Sequence, residues 1–292
     1  FLGCGAAIMM PSSLALLRLT FPDEVERNTA IGIWGSVAVI GAAAGPTVGG
    51  FFLEHFWWGS VFLLNVPVVV VAIVLTWLLA PPNAPNPLKH WDFPSSLYSL
   101  ITLASLVLAI KSLAHNWPVS AAAGIVFICG ALAFGRRQAR LSDPLLTFDI
   151  FSSRIFSGGA LTAGGAMFGL AGLELLSTQK LQLVDALSPL HAGLIISAMA
   201  LSAIPTSILG GATLHRVGFL PLISGGFLLM AAGMALVVVS RGETLPLLVS
   251  ALVLTGLGAG LAMSVSSTAI INAAPLHRTG MASGVEAGSY EF

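Results

Sequence analysis

The sequence predicts an all-α integral membrane protein: a helical bundle of eight complete transmembrane helices and two partial ones. Three observations carry that prediction. Of 292 residues, 56% are hydrophobic and 8% charged, whereas a soluble domain carries about 25% charged residues. So little charge cannot cover a water-facing surface of this size. Second, eight stretches reach the roughly 20 helical residues that a bilayer core of about 30 Å requires. Third, nothing alternates over strand lengths. Mean hydropathy is +0.95, and the 32 glycines suit membrane helices, where they let backbones approach closely.

In chain order, residues 1–17 read as the tail of an earlier helix, opening without an initiator Met at Phe1. Complete spans are expected over 30–53, 59–80, 95–113, 118–135, 155–178, 190–212, 218–239 and 246–271, and residues 277–292 begin a later one. With both ends inside apolar runs, the chain reads as a fragment. Pro81, Pro82, Pro85 and Pro87 form a stiff link that no helix crosses. Ser188-Pro189 places a capping hydroxyl and then a first-turn proline. The polar stretch from Arg136 to Arg154 is the longest connection. Three segments follow: 1–80, the end of a first bundle; 81–136, a linker with a helix pair; and 137–292, a second bundle.

Loops between successive spans must alternate sides. One set holds Arg18, Arg27, Lys89, Arg136, Arg137, Arg140, Arg154, Arg216 and Arg278. The other holds Lys111, Lys180 and Arg241, which completes the 12 Lys and Arg residues. The positive-inside rule puts the nine in the cytoplasm.

The chemistry that the sequence lacks narrows the function. A net charge of zero suggests no nucleic-acid partner. Cys4 and Cys129 lie far apart in apolar runs and read as small core residues, not a disulfide or metal pair. No H-E-x-x-H, phosphate loop or nucleophile elbow occurs, so no catalytic set, cofactor or metal is expected. An enzyme would need clustered catalytic residues at one depth, and a sensor would need a soluble domain. Neither is found.

Several residues point to transport instead. Gly41, Gly45 and Gly49 are spaced by four and stack on one helix face, with Pro46 and Gly50 beside them. Such a face permits tight packing, and the proline removes a helix hydrogen bond. Glu174 is the clearest ionisable residue inside an apolar run. Intramembrane acids mark ion or substrate paths, because a buried acid keeps its proton until a cation arrives and gives it up when one does. Met167, Ala171, Glu174 and Thr178 share a helix face, and Met adapts to varied ligands. Glu286 lies nine residues after His277, about 13 Å along a helix, and forms a polar stripe with Ser283 and Tyr290. Ser264, Thr268 and Asn272, at i, i+4 and i+8, form another stripe and are candidate cavity-lining residues. Arg27 with Glu24 in a loop, and Arg216, are candidates for a cytoplasmic gate. Trp34, Trp57, Trp58, Trp77, Trp91 and Trp117 read as interface anchors, not a cation cage.

The run Gly41-Ala-Ala-Ala-Gly45-Pro46-Thr-Val-Gly49-Gly50 resembles the antiporter signature of the major facilitator superfamily. Glu26 to Gly35 resembles its usual lead-in, and Trp58 to Pro67 the start of the next core helix. Asp143 to Phe151, preceded by the additional pair at 95–113 and 118–135, resembles the fourteen-helix drug:proton antiporter branch. Gly172-Leu-Glu174-Leu-Leu with Leu187-Ser188-Pro189, and Ala273-Ala-Pro275 leading to Gly284-Val-Glu286, are similar to the methyl viologen and quaternary-ammonium exporters. One departure is His215 in Gly211 to Gly218, where an Asp is common. The resemblance implies a major facilitator-type bundle and a monomer in a bacterial inner membrane. It also implies alternating-access exchange of protons for lipophilic cations, with Glu174 and Glu286 as coupling acids. The fold equally serves transporters of a sugar, amino acid or siderophore.

Overall fold

The structure is a computed structural model and describes residues 21–79, 92–141, 144–240, 244–275 and 278–291, with scattered positions between 3 and 20. The proline link at 81–87, Cys4 and Trp91 lie outside the described residues. Among the described residues from Glu24 on, ten α-helices follow in order: α1 Glu24–His55, α2 Ser60–Leu63, α3 Asn65–Leu79, α4 Phe93–Ser112, α5 Trp117–Gln138, α6 Arg154–Gln179, α7 Pro189–Val217, α8 Phe219–Ser240, α9 Leu245–Ala273 and α10 Thr279–Glu291. No strand occurs among the described residues. Among the described residues, seven helical stretches are long and apolar enough to cross a membrane, judged by length and composition. They fall on seven of the eight expected spans, and the eighth, 30–53, lies within α1.

α1 begins earlier than the hydropathy predicts. Asp23 caps it, its carboxylate accepting from the amides of Val25 and Glu26 at 2.9 and 3.0 Å. Glu24 and Glu26 occupy the first turn, where acids complement the helix dipole. Glu24 and Arg27, expected in a loop, are therefore helical. Ser188 caps α7 as expected, accepting from the amide of His191 with Pro189 in the first turn.

The chain divides into two compact units. In the smaller, residues 80–149, α4 packs along α5. A Cβ on Gly130 would meet the Thr102 hydroxyl at 2.6 Å, so glycine there lets the pair approach. At one end Arg137 grips Asp92 with Nε–H at 3.0 Å and Nη2–H at 2.7 Å. Ser95 also donates to Asp92, Gln138 donates to Ser95 at 2.7 Å, and the Leu146 amide donates to Gln138 at 3.1 Å. Arg137 holds the Asp92 carboxyl down at about 2, with the Ser95 hydroxyl helping. Cys129 is free and exposed on α5, which corrects the expectation of a core position. It lies in an apolar run because that face is suited to lipid.

The larger unit is built around α9, which has the longest list of buried residues of any described helix. Helices in lipid gain little from apolar burial and associate through close packing of small residues. Cβ atoms on Gly256 and Gly260 would overlap the carbonyls of Met199 and Ala203 on α7. One on Gly226 of α8 would meet the Gly258 carbonyl of α9 at 2.8 Å. α1 packs along nearly the full length of α7. By contrast, α3 has no buried residue among those described.

Candidate functional site

A cavity of about 220 Å³ opens where α1, α6, α7, α9 and α10 converge. Its wall is mostly apolar. Trp34, Met167, Met199 and Met263 contribute polarisable surface, and Glu174, Ser264 and Ser267 are among its polar members. No Lys, Arg or His lines it among the described residues. Glu174 is half-buried on α6. The expected face of α6 is therefore split: Met167 and Glu174 reach the cavity, while Thr178 bonds back to the Glu174 carbonyl at 2.7 Å and stays outside it.

Glu286 is 1% exposed and does not line the cavity. Its Oε1 accepts from the Ser267 hydroxyl and, at 3.2 Å, from the Tyr290 hydroxyl. Those two hydroxyls lie 2.8 Å apart, and both line the cavity. The Oε2 atom of Glu286 is buried without a hydrogen-bond partner among the described residues, as is Ser264 Oγ.

The stripe on α9 divides by depth. Ser264 lines the cavity. Thr268 is fully buried and bonds back to the Ser264 carbonyl at 2.9 Å. Asn272 is a linking residue instead: its side-chain oxygen accepts from Arg27 Nε–H at 2.8 Å, and its amide donates to Asn28 at 2.9 Å. Arg27 also donates to the carbonyls of Phe21 and Pro22. The start of α1 and the end of α9 therefore share one end of the unit. At the other end, Glu54 accepts from the Leu190 amide at 3.3 Å, joining the end of α1 to the start of α7. Both pairings match the expected alternation of loops. Arg216 is exposed and bonds to the ring of its neighbour His215 at 3.2 Å, with no bond to the link at Arg27 among the described residues.

The glycine run packs on a different face from the one its spacing suggests. Cβ atoms at Gly41, Gly45 and Gly49 would meet nothing within 4 Å among the described residues. One at Gly50 would meet the Leu190 backbone at 2.8 Å, and one at Gly193 the Pro46 carbonyl at 2.6 Å. Within the glycine run the close approach to α7 thus falls on Pro46 and Gly50, and near the start of α1 a Cβ on Gly211 of α7 would meet the Asn28 carbonyl at 2.5 Å.

Trp34 is the main residue that the sequence reading misplaced. It is not an interface anchor: it lines the cavity and donates its indole N–H to Ser13 Oγ at 3.1 Å. With the span expected to start at residue 30, Trp34 read as near its end; the helix instead starts at Glu24, which puts Trp34 ten residues, about 15 Å, along it. Met199, Met263 and Ser267 were also missed, because nothing in their local sequence separates them from packing residues.

The profile of the Major Facilitator Superfamily matches residues 1–290. The methyl viologen resistance protein SmvA of Salmonella typhimurium is 34% identical over 301 residues, covering 100% of this chain and 60% of that protein. The multidrug efflux pump LfrA of Mycolicibacterium smegmatis is 36% identical over 300 residues, covering 100% and 58%. The multidrug resistance protein Stp of Mycobacterium tuberculosis is 29% identical over 288 residues, covering 97% and 53%. The chain thus spans up to about 60% of the length of these curated relatives. With a helical fold suited to a bilayer and a family match over nearly all of its length, this chain belongs to the Major Facilitator Superfamily.

Proposed function

We propose that the full-length protein exports lipophilic cations across a bacterial inner membrane in exchange for protons. The observation that carries this reading is the cavity itself: an apolar wall with Trp34 and three methionines, acids at Glu174 and Glu291, and no basic side chain among the described lining residues. A lipophilic cation needs apolar contact for its body and negative charge or a π face for its charge. The relatives named for methyl viologen resistance and multidrug efflux support the same class. Glu174 takes the cation, and Glu286, sealed behind Ser267 and Tyr290, carries the proton. The arginine-rich end, where Arg27 meets Asn272, is cytoplasmic. One proton inward for one monovalent cation outward moves no net charge, so the pH gradient drives that exchange, and each further proton adds about 2.3 kcal/mol per 100 mV of membrane potential.

The test is expression of the full-length protein in a pump-deficient bacterium challenged with quaternary ammonium compounds. Protection is expected, and it is expected to fall sharply in Glu174→Gln. No protection by the parent overturns the exporter reading. Full protection by Glu174→Gln overturns the role of that acid alone.

A further inference from the structure

Glu286 and Tyr290 lie at i and i+4 on α10 and so share a face. Ser267 of α9 stands opposite. The three oxygens form a triangle in which the route through Ser267 has the shorter contacts: Tyr290 hydroxyl to Ser267 hydroxyl at 2.8 Å and Ser267 hydroxyl to Glu286 Oε1, against 3.2 Å for Tyr290 hydroxyl directly to Oε1. Ser267 and Tyr290 line the large cavity, and Glu286 does not. The void beside Glu286 is about 10 Å³, at the lower limit for a single water. Among the described residues, that void has no room for a string of waters to bypass the hydroxyls.

We propose that the Tyr290–Ser267 hydroxyl pair is the proton path between Glu286 and the cavity that Glu174 lines. The proposal rests on the reading of Glu286 as the proton-carrying acid. Each hydroxyl donates one hydrogen and accepts another. With Ser267 donating to Glu286 and accepting from Tyr290, the Tyr290 oxygen is free to take a proton from the cavity. Tyr290 then passes its own proton to Ser267, and Ser267 passes its own to the carboxylate. One proton crosses and neither hydroxyl is left ionised. Release runs the same steps backward, with the hydroxyl hydrogens turned the other way. Among the described residues, the titratable groups around this path are Tyr290 on α10, with Glu174 on α6 and Glu291 on α10 at the cavity wall. The arrangement lets cation and proton exchange through one cavity while their two carboxyls stay apart.

The experiment uses the full-length protein in detergent and a weakly buffered medium containing a pH dye. Tetraphenylphosphonium is added, and binding and proton release are followed together. The parent should bind the cation and release protons. Tyr290→Phe and Ser267→Ala, each measured at a cation concentration that saturates it, should release protons at least about tenfold more slowly, as expected when a positioned proton-transfer group is lost. Ser267→Thr, which keeps the hydroxyl, should restore the rate. Release at the parent's rate in both hydroxyl-deleted variants, with binding intact, overturns the relay and leaves the exporter reading standing. Cation binding without any proton release by the parent overturns proton exchange and the relay with it. Either variant losing cation binding while Ser267→Thr also releases slowly assigns the pair to packing and overturns the relay.

Discussion

Arg27 on α1 donates to the side-chain oxygen of Asn272 on α9 at 2.8 Å, and Asn28 accepts from the amide of the same Asn272 at 2.9 Å. One asparagine thereby ties two helices together at the arginine-rich end, below the cavity. Hydrogen bonds to a charged group contribute about 1.5–3 kcal/mol when buried, and partial exposure of Arg27 brings this to about 1–2 kcal/mol. Arg27→Ala should therefore favour opening of that end by about five- to thirtyfold. Ala200→Cys, placed in the cavity wall of a protein with its native cysteines replaced, supplies the reporter. A membrane-impermeant maleimide should label it faster from the cytoplasmic side in the Arg27→Ala variant. Equal labelling rates would show that the contact does not hold the end closed.

The crossing of α1 and α7 gives a second prediction. A Cβ on Gly50 or Gly193 meets backbone atoms at 2.8 and 2.6 Å, and backbone cannot rotate away as a side chain can. Gly50→Ala and Gly193→Ala should each cost about 1–3 kcal/mol of stability. Gly172→Ala, on an exposed face with nothing within 4 Å among the described residues, should instead gain up to about 1 kcal/mol from helix propensity. Thermal unfolding of the full-length protein in detergent checks both signs. A Gly50→Ala variant as stable as the parent would mean that this approach is looser than 2.8 Å implies.

The spans were legible because hydropathy and caps act locally. The pair expected at 95–113 and 118–135 became Phe93–Ser112 and Trp117–Gln138, and the Ser188 cap formed as its sequence suggests. Glu174 and Met167 were legible because an acid or methionine on one helix face can be placed by periodicity alone. Periodicity gives a face but neither its partner nor its depth. For that reason Ser264 and Asn272, eight residues apart on one stripe, separate into a cavity wall and a helix link. The glycine spacing at 41, 45 and 49 likewise pointed to a packed face, while the packing with α7 falls on Pro46 and Gly50. Trp34 was hidden by a statistical habit of tryptophans, which its distance from the helix start contradicts.

Trp34 supplies the third prediction. Its ring lines the same cavity as Glu174, and an indole face attracts a bound cation by about 0.5–2 kcal/mol. Trp34→Leu keeps apolar surface but removes that attraction. Affinity for a lipophilic cation should fall by about two- to thirtyfold, on the same principle, while a neutral ligand of similar shape should bind with little change. Equilibrium binding of such a pair to the full-length protein separates the cases. An equal loss for both would assign Trp34 to shape and to its bond with Ser13 rather than to charge recognition.

The α4–α5 pair should carry its own acid limit. Arg137 and Ser95 hold the Asp92 carboxyl at about 2, below its ordinary 3.8. A carboxyl depressed in the folded state contributes stability that is fully present above its ordinary value and is lost as pH falls through the folded one. The clamp should therefore be intact at pH 5 and fail between about pH 4 and pH 2. In the parent, amide exchange at the start of α4 and the end of α5, corrected for the intrinsic effect of pH, should lose protection across that window. Asp92→Asn cannot form the ion pair, so its exchange there should already be fast at pH 5 and should not change across the window. Ser120, which bonds to the Ala109 carbonyl at 2.7 Å at the far end of the pair, marks a region whose protection should persist in both proteins. If Asp92→Asn is protected like the parent at pH 5, the polar contacts of Ser95 and Gln138 hold that end without the ion pair.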